Sequence, residues 1–257
     1  MLRFPALGRR FPFGPQIRAL LPGFLFLMSP DRPYSQQAAI PGLLSSERSR
    51  EAAERVRLRL ATELSAGGMR FGNPVFIRIT KEEGLLELFV REQRKRTFRL
   101  FKTYPVAAMS GQLGPKEREG DLQAPEGFYY VSPGRMNPNS RFHLSFNLGY
   151  PNTYDRGHGR TGSHLMVHGN QVSIGCFAMT DPGIEEIYTL CHAALAEGQP
   201  FFRVHCFPFH MTAQRLARER SSKWYSFWKN LQDGYDFFER SKTPPNVRVS
   251  DGRYVFE

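Results

Sequence analysis

The sequence predicts an α+β fold: a β-rich centre with flanking helices and a helical C-terminal extension. Three observations carry this expectation. Residues 73–107 hold three runs in which β-branched and aromatic residues alternate with polar ones, the period of a strand. Residues 45–66 and 212–240 instead repeat apolar residues three and four apart, the period of helices that bury one face. The 23 glycines and 19 prolines are spread along all 257 residues. That distribution suits a chain that turns often, and it excludes collagen-like and wholly disordered classes. At 40% hydrophobic, the chain is long and apolar enough for a sizeable core.

Taken in order, residues 1–30 carry Arg3, Arg9, Arg10 and Arg18 ahead of the apolar run ALLPGFLFLM (19–28). A basic region before a stretch too short to span a bilayer reads as a signal or targeting segment. Pro22 and Gly23 interrupt the run, and no A-x-A cleavage site follows. No later stretch is long and apolar enough for a transmembrane helix. Residues 31–70 read as a linker and then an amphipathic helix, with Val56, Leu60 and Leu64 on one stripe and Gly67-Gly68 as its stop. Residues 71–210 read as the main domain. NPVFIRITK (73–81), LLELFVR (85–91) and TFRLFKTYPVA (97–107) are expected strands. A long Gly/Pro-bearing loop (110–131) carries Lys116, Arg118 and Asp121 and could cap a groove. RFHLSFNLGY (141–150) and HLMVHG (164–169) are expected strands around a polar loop. Asp181 is expected to cap a helix opened by Pro182, with Glu185 and Glu186 favouring its positive end, and FFRVHCFPF (201–209) returns as a strand. Residues 211–257 read as a helical extension whose Trp224, Tyr225, Phe227, Trp228, Phe237 and Phe238 pack on the main domain, closed by a hairpin at Asp251-Gly252.

The net charge is +11, which suits an anionic surface, a nucleic acid or simply a basic solvated exterior. The longest basic cluster, Arg91–Arg96, lies between two strand-like runs, as a hairpin end would. No helix-turn-helix, zinc-finger or RNA-binding pattern accompanies it, so no nucleic acid is expected as a partner. Three cysteines without a CxxC fit no disulfide framework. Cys191 and Cys206, both in apolar runs, are either paired or buried free thiols.

The third cysteine is different. His168-Gly169 is followed by Asn170-Gln171-Val172, then Ser173-Ile174-Gly175-Cys176. This HG-x3-S-x-G-C spacing arises by chance in roughly one chain of this length in 10⁴ to 10⁵. A nucleophilic cysteine needs a base, donors for the oxyanion formed on attack, and something to hold the base's tautomer. His168 at a strand end is a candidate base. The glycine lets the backbone turn so that the amides of Cys176 and Gly175 can face an attacked carbonyl. With no acid close in sequence, the carbonyl of Gly169 is the candidate orienter. His158, His164 and His168 lack the HExxH or CxxC context of a zinc site, so no metal is expected and no cofactor is called for. Tyr154, Arg156, His158 and Arg160, in the loop leading to the motif, are candidates for gripping a carboxylate, or else an ordinary solvated loop.

The motif resembles that of the L,D-transpeptidase (YkuD-like) catalytic domain family, whose signature is HG, a variable stretch, then S-x-G-C. The segments at 112–129, 137–159, 172–181 and 244–255 resemble its YafK-like subgroup from Gram-negative bacteria. The resemblance covers about residues 70–257. It implies a sandwich or barrel core, Cys176 as nucleophile, His168 as base, the Gly169 carbonyl as orienter and Ser173 as organiser of the loop. It implies a periplasmic enzyme that forms a thioester with a peptidoglycan stem peptide. Within the subgroup it implies hydrolysis of the bond between diaminopimelate and the terminal lysine of an outer-membrane lipoprotein. True transpeptidation, making 3–3 cross-links or attaching lipoprotein, and non-catalytic peptidoglycan binding are the alternatives. Where most of the family has an arginine two residues after the cysteine, this chain has Ala178. Arg156 and Arg160 are candidates to replace that charge.

Overall fold

The computed structural model describes residues 40–257, so the expected targeting segment lies outside the described residues. The elements are α1 (Glu47–Ala66), β1 (Val75–Thr80), β2 (Leu85–Arg91), β3 (Phe98–Pro105), β4 (Gly127–Val131), β5 (Met136–Asn137), β6 (Ser145–Asn147), α2 (Thr153–Gly157), β7 (Met166–His168), β8 (Phe177–Ala178), α3 (Asp181–Ala196), β9 (Phe202–Phe207), α4 (Ala213–Ala217), α5 (Tyr225–Ser241), β10 (Val247–Ser250) and β11 (Arg253–Phe256). The class is α+β.

One sheet has five strands in the order β3-β2-β1-β9-β4, and a second has four in the order β5-β6-β7-β8. In the first, β1 runs antiparallel to β2 and parallel to β9. In the second, β7 runs antiparallel to β6 and parallel to β8. Both sheets feed one apolar cluster: Ile77, Ile79 and Val204 from the first, Phe146, Val167 and Phe177 from the second. Leu60 and Leu64 of α1 and Ile187 and Leu190 of α3 close it. Burying side chains of this size contributes roughly 1.5–3 kcal/mol each.

The elements form for local reasons. α1 starts at a capping box, with Ser46 and Ser49 each accepting from the other's amide, which satisfies donors the first turn leaves free. It buries Ala52, Val56, Leu60 and Leu64 on one stripe, while Arg55 and Arg59 reach Glu185 and Glu186 of α3 at 2.6 Å each. The alternation of β1 marks two covered faces rather than one wet face, because all six of its residues are buried. Val75, Ile77 and Ile79 face the main cluster. Phe76 meets Phe89 and Phe238 on the other side, and Arg78 is held there by Glu87 and Glu239 at 2.6 Å each. α5 supplies that second cover.

Several sequence expectations are corrected. Residues 212–240 do not make one helix. α4 and α5 are separated by residues 218–224, whose first six, Arg218-Glu219-Arg220-Ser221-Ser222-Lys223, have no apolar side chain to bury before Trp224 rejoins the core. The cap of α3 is Thr180, whose hydroxyl accepts from the Gly183 amide at 3.2 Å. Asp181 opens the helix instead and accepts the Asn170 amide at 2.8 Å. Of 141–150 only Ser145–Asn147 is strand, because His143 takes a positive φ of 65° and the carbonyls of Phe142 and Leu144 both turn onto the Gly169 amide. The hairpin turn at Asp251-Gly252 has φ of 50° and 69°, the pair of left-handed residues that a two-residue turn demands. Cys191 and Cys206 are both buried free thiols.

Candidate active site

The β7–β8 ladder assembles the site. Val167 pairs with Phe177 and His168 with Ala178, which sets Met166 beside Cys176. Side chains alternate across a ladder, so His168 and Cys176 project from the same face, offset diagonally along two neighbouring strands. His168 is 2% exposed and its Nδ1 lies 2.5 Å from the Gly169 carbonyl. A carbonyl only accepts, so Nδ1 carries the proton and Nε2 is left as the basic nitrogen. The Phe142 ring lies against the imidazole, with centroids 4.7 Å apart. Burial lowers the His168 pKa, and the bond to Gly169 opposes that shift.

The thiol of Cys176 accepts from the Met166 amide at 3.4 Å and donates to the His164 carbonyl at 3.6 Å. Burial raises its pKa, partly offset by the Met166 amide and by the positive charge of Lys116. Lys116 itself is buried against Asp121 at 2.5 Å. Both shifts favour the neutral forms, imidazole and thiol.

The loop between base and thiol is tied at both ends. The Ser173 hydroxyl donates to the Cys176 carbonyl at 2.7 Å and accepts from the Gly175 amide at 3.2 Å. The Gly175 amide, one of the two expected oxyanion donors, is thus engaged with Ser173. Gly175 has φ of 122°, which an L side chain rarely adopts. Gly169 is required for a different reason: a Cβ there would sit 2.6 Å from Asp181 Oδ1 and 2.9 Å from the Phe142 carbonyl. Asn170 is pinned to α3, with its amide on Asp181 and its carbonyl accepting from Thr180 at 3.0 Å.

The other four candidates make their contacts elsewhere. Arg160 is buried in an ion pair with Asp155 at 2.8 Å. Tyr154 stacks on His158 and on Tyr254 of the C-terminal hairpin, with centroids 4.0 and 4.2 Å apart. The Arg156 guanidinium donates to the Pro151 carbonyl. Tyr154 thus ties the 151–160 loop to the C-terminal hairpin, while Arg156 and Arg160 bond within the loop. Among the described residues none of their hydrogen bonds, ion pairs or ring contacts reaches Cys176 or His168. Phe142 at His168 and the Gln123 carbonyl beside Gly175 were not foreseen. No local pattern marks either, because both arrive from loops distant in sequence.

Comparisons with known proteins give the family. The L,D-transpeptidase catalytic domain model, YkuD, matches residues 74–201. YafK of Escherichia coli (strain K12), whose name places it among the L,D-transpeptidases, is 46% identical over 184 residues, 72% of this chain and 74% of the relative. The same protein from E. coli O157:H7 matches identically. Among solved structures, the helical cell shape determining protein Pgp2 of Campylobacter jejuni is 18% identical with a TM-score of 0.41, covering 75% of this chain and 80% of that one. Bd1075 of Bdellovibrio bacteriovorus is 16% identical with a TM-score of 0.37, covering 70% and 78%. On the strength of the long match at 46% identity and the domain it contains, the chain belongs to the L,D-transpeptidase catalytic domain (YkuD) family.

Proposed function

We propose that this chain is a periplasmic cysteine enzyme that hydrolyses the amide between diaminopimelate and the lysine of a murein-bound outer-membrane lipoprotein. The observation that carries the reading is the paired projection of His168 and Cys176 from one ladder face, with the Nδ1 proton held on the Gly169 carbonyl. The thiol leaves the His164 carbonyl by rotation about χ1, and His168 Nε2 takes its proton as Sγ attacks the carbonyl carbon at the L-centre of diaminopimelate. The Cys176 amide donates to the oxyanion. The C–N bond then breaks, the lysine amine leaves with the proton from His168, and a thioester remains. Water attacks it, giving its proton to His168, and the free carboxylate and thiol are restored. The apolar run at 19–28 behind four arginines supports export.

A second reading is favoured by the name of the E. coli relative: an amine takes the place of water, giving 3–3 cross-links or attached lipoprotein. The two share every step up to the thioester. Purified protein is incubated with sacculi that still carry lipoprotein, with Cys176→Ala alongside, and the products are read by mass spectrometry. Release of lipoprotein bearing no muropeptide, lost in the variant, is the expected result. New 3–3 dimers without release would replace the hydrolase by the transpeptidase. A Cys176→Ala protein as active as the parent would end both.

A further inference from the structure

Away from Cys176 and His168, a trough of about 650 Å³ opens between β4, β9, the chain after β6 and the C-terminal hairpin. Four arginines line it, Arg135, Arg156, Arg203 and Arg248, and no Asp or Glu does. Three of them spend their hydrogen bonds on neutral acceptors. Arg135 donates to the Tyr130 carbonyl at 2.5 Å, Arg156 to the Pro151 carbonyl, and Arg203 to Asn246 Oδ1 at 2.6 Å. Arg248 alone has a carboxylate, Glu257.

These guanidiniums are held in place. Arg135 lies over the Tyr130 ring at 4.5 Å and Arg203 over the Phe201 ring at 5.1 Å. The two rings meet edge to face at 5.4 Å. The Arg135 guanidinium occupies the space a Cβ on Gly149 would need, and Gly149 has φ of 80°, so the backbone is shaped around the arginine. Burial without a counter-charge also lowers the Arg203 pKa. Arg135 and Arg203 are half-buried and fixed by oxygen acceptors and rings, while Arg156 and Arg248 are exposed, and all four line the same trough.

We propose that this trough is a binding site for a ligand bearing two or more phosphate groups. Arginine forks match phosphate oxygens in pairs. Three arginines without a carboxylate partner, beside a fourth paired with Glu257, balance two phosphates, at about −1.5 to −2 each, more closely than two carboxylates. The volume exceeds a single inorganic phosphate and falls in the range of sites that enclose a small molecule or headgroup. The source is either an anionic lipid headgroup or a soluble phosphorylated molecule.

The test is calorimetric titration of inorganic pyrophosphate into the full chain, with Arg203→Gln, the double variant Arg135→Gln/Arg156→Gln, and Arg50→Gln on the exposed face of α1 as control. Thermal melts identify any variant that does not fold. The double variant, at half-buried and exposed positions, keeps the test alive if Arg203→Gln unfolds. Expected is one saturable site, weakened at least about tenfold by loss of a charge-assisted contact in the trough variants and less than about twofold in Arg50→Gln. No saturable binding, equal loss in Arg50→Gln, or citrate binding as tightly as pyrophosphate would overturn the proposal. Flotation with phosphatidylcholine vesicles, with and without cardiolipin, separates the sources. Capture that needs both cardiolipin and Arg203 assigns a lipid headgroup. Pyrophosphate binding without such capture assigns a soluble ligand.

Discussion

Burial holds Cys176 and His168 in their neutral forms: the thiol pKa is raised and the imidazole pKa lowered, each with desolvation as the largest cause. Two consequences follow from the signs. The thiol is not a standing thiolate, so its alkylation by iodoacetamide should rise with pH about a midpoint above the ordinary value of about 8.5. Lys116→Met, which removes the charge that favours the thiolate, should move that midpoint higher still. Peptide mass spectrometry resolves Cys176 from the buried Cys191 and Cys206. A midpoint near neutrality would mean a preformed ion pair and a different resting state. His168, in turn, stays neutral to below its ordinary pKa of about 6.5, so the base is available in mildly acid conditions. Much of this was readable in the sequence. His168, Gly169, Ser173, Gly175 and Cys176 stand at a diagnostic spacing, and the backbone carbonyl was the natural orienter once no acid lay nearby. Phe142 was not readable, because nothing within its own segment says that its ring will lie on an imidazole from another strand.

At the scale of elements, the helices and hairpin of the C-terminal region are fitted to the main sheet by side chains of fixed shape. Gly234 lies within α5, where alanine would ordinarily be preferred by about 1 kcal/mol. A Cβ there would sit 2.6 Å from Phe128 Cζ and would also overlap the Phe256 ring. Both rings belong to the cluster around Trp228 and Tyr254, where overpacking costs typically 1–3 kcal/mol. Gly234→Ala should therefore destabilise the protein, by about 1 kcal/mol or more net, as measured by urea denaturation. A more stable variant would show that α5 can slide on the hairpin. A second tie is Glu126, which joins Lys81 at 3.0 Å to the Trp228 indole at 2.7 Å. Lys81 also donates to the carbonyls of Gln112, Gly114 and Ala124. This cluster anchors the 110–131 loop, so its Gly/Pro content encodes a fixed path rather than a free lid.

At the scale of the whole molecule, three buried histidines couple stability to pH. His168, His192 and His205 all have depressed pKa values with burial as the first cause, His192 to about 4 and His205 well below the usual value. A histidine kept neutral in the folded state gives stability that is present above its unfolded pKa, about 6.5. Below that the unfolded chain takes up protons that the folded chain refuses. Stability should fall as pH drops from about 6.5 toward about 4, and His192 alone can account for up to about 3 kcal/mol of that loss. Urea midpoints measured across this range check it. His192→Gln should flatten the slope, and an unchanged slope would place the coupling elsewhere.

The sequence by itself determined the class of fold, the existence of the strands at 75–105, the amphipathic α1 and the hairpin turn at Asp251-Gly252, and it singled out one spaced histidine–cysteine motif. These are short-range matters: the period of apolar residues, the chemistry of caps and turns, and one spaced motif. The tertiary structure decided what each side chain meets. The β3-β2-β1-β9-β4 order brings residues more than a hundred positions apart into one sheet, and no local pattern encodes that order. Hence β1 is covered on both faces, and the helical pattern of 212–240 breaks where it has nothing to bury. The loop at 151–160 docks its tyrosine on the hairpin and turns its arginines onto its own backbone and Asp155 rather than toward the thiol. Four arginines scattered from 135 to 248 converge on one trough, since charge in a sequence has a sign and a position but acquires partners only when the chain closes.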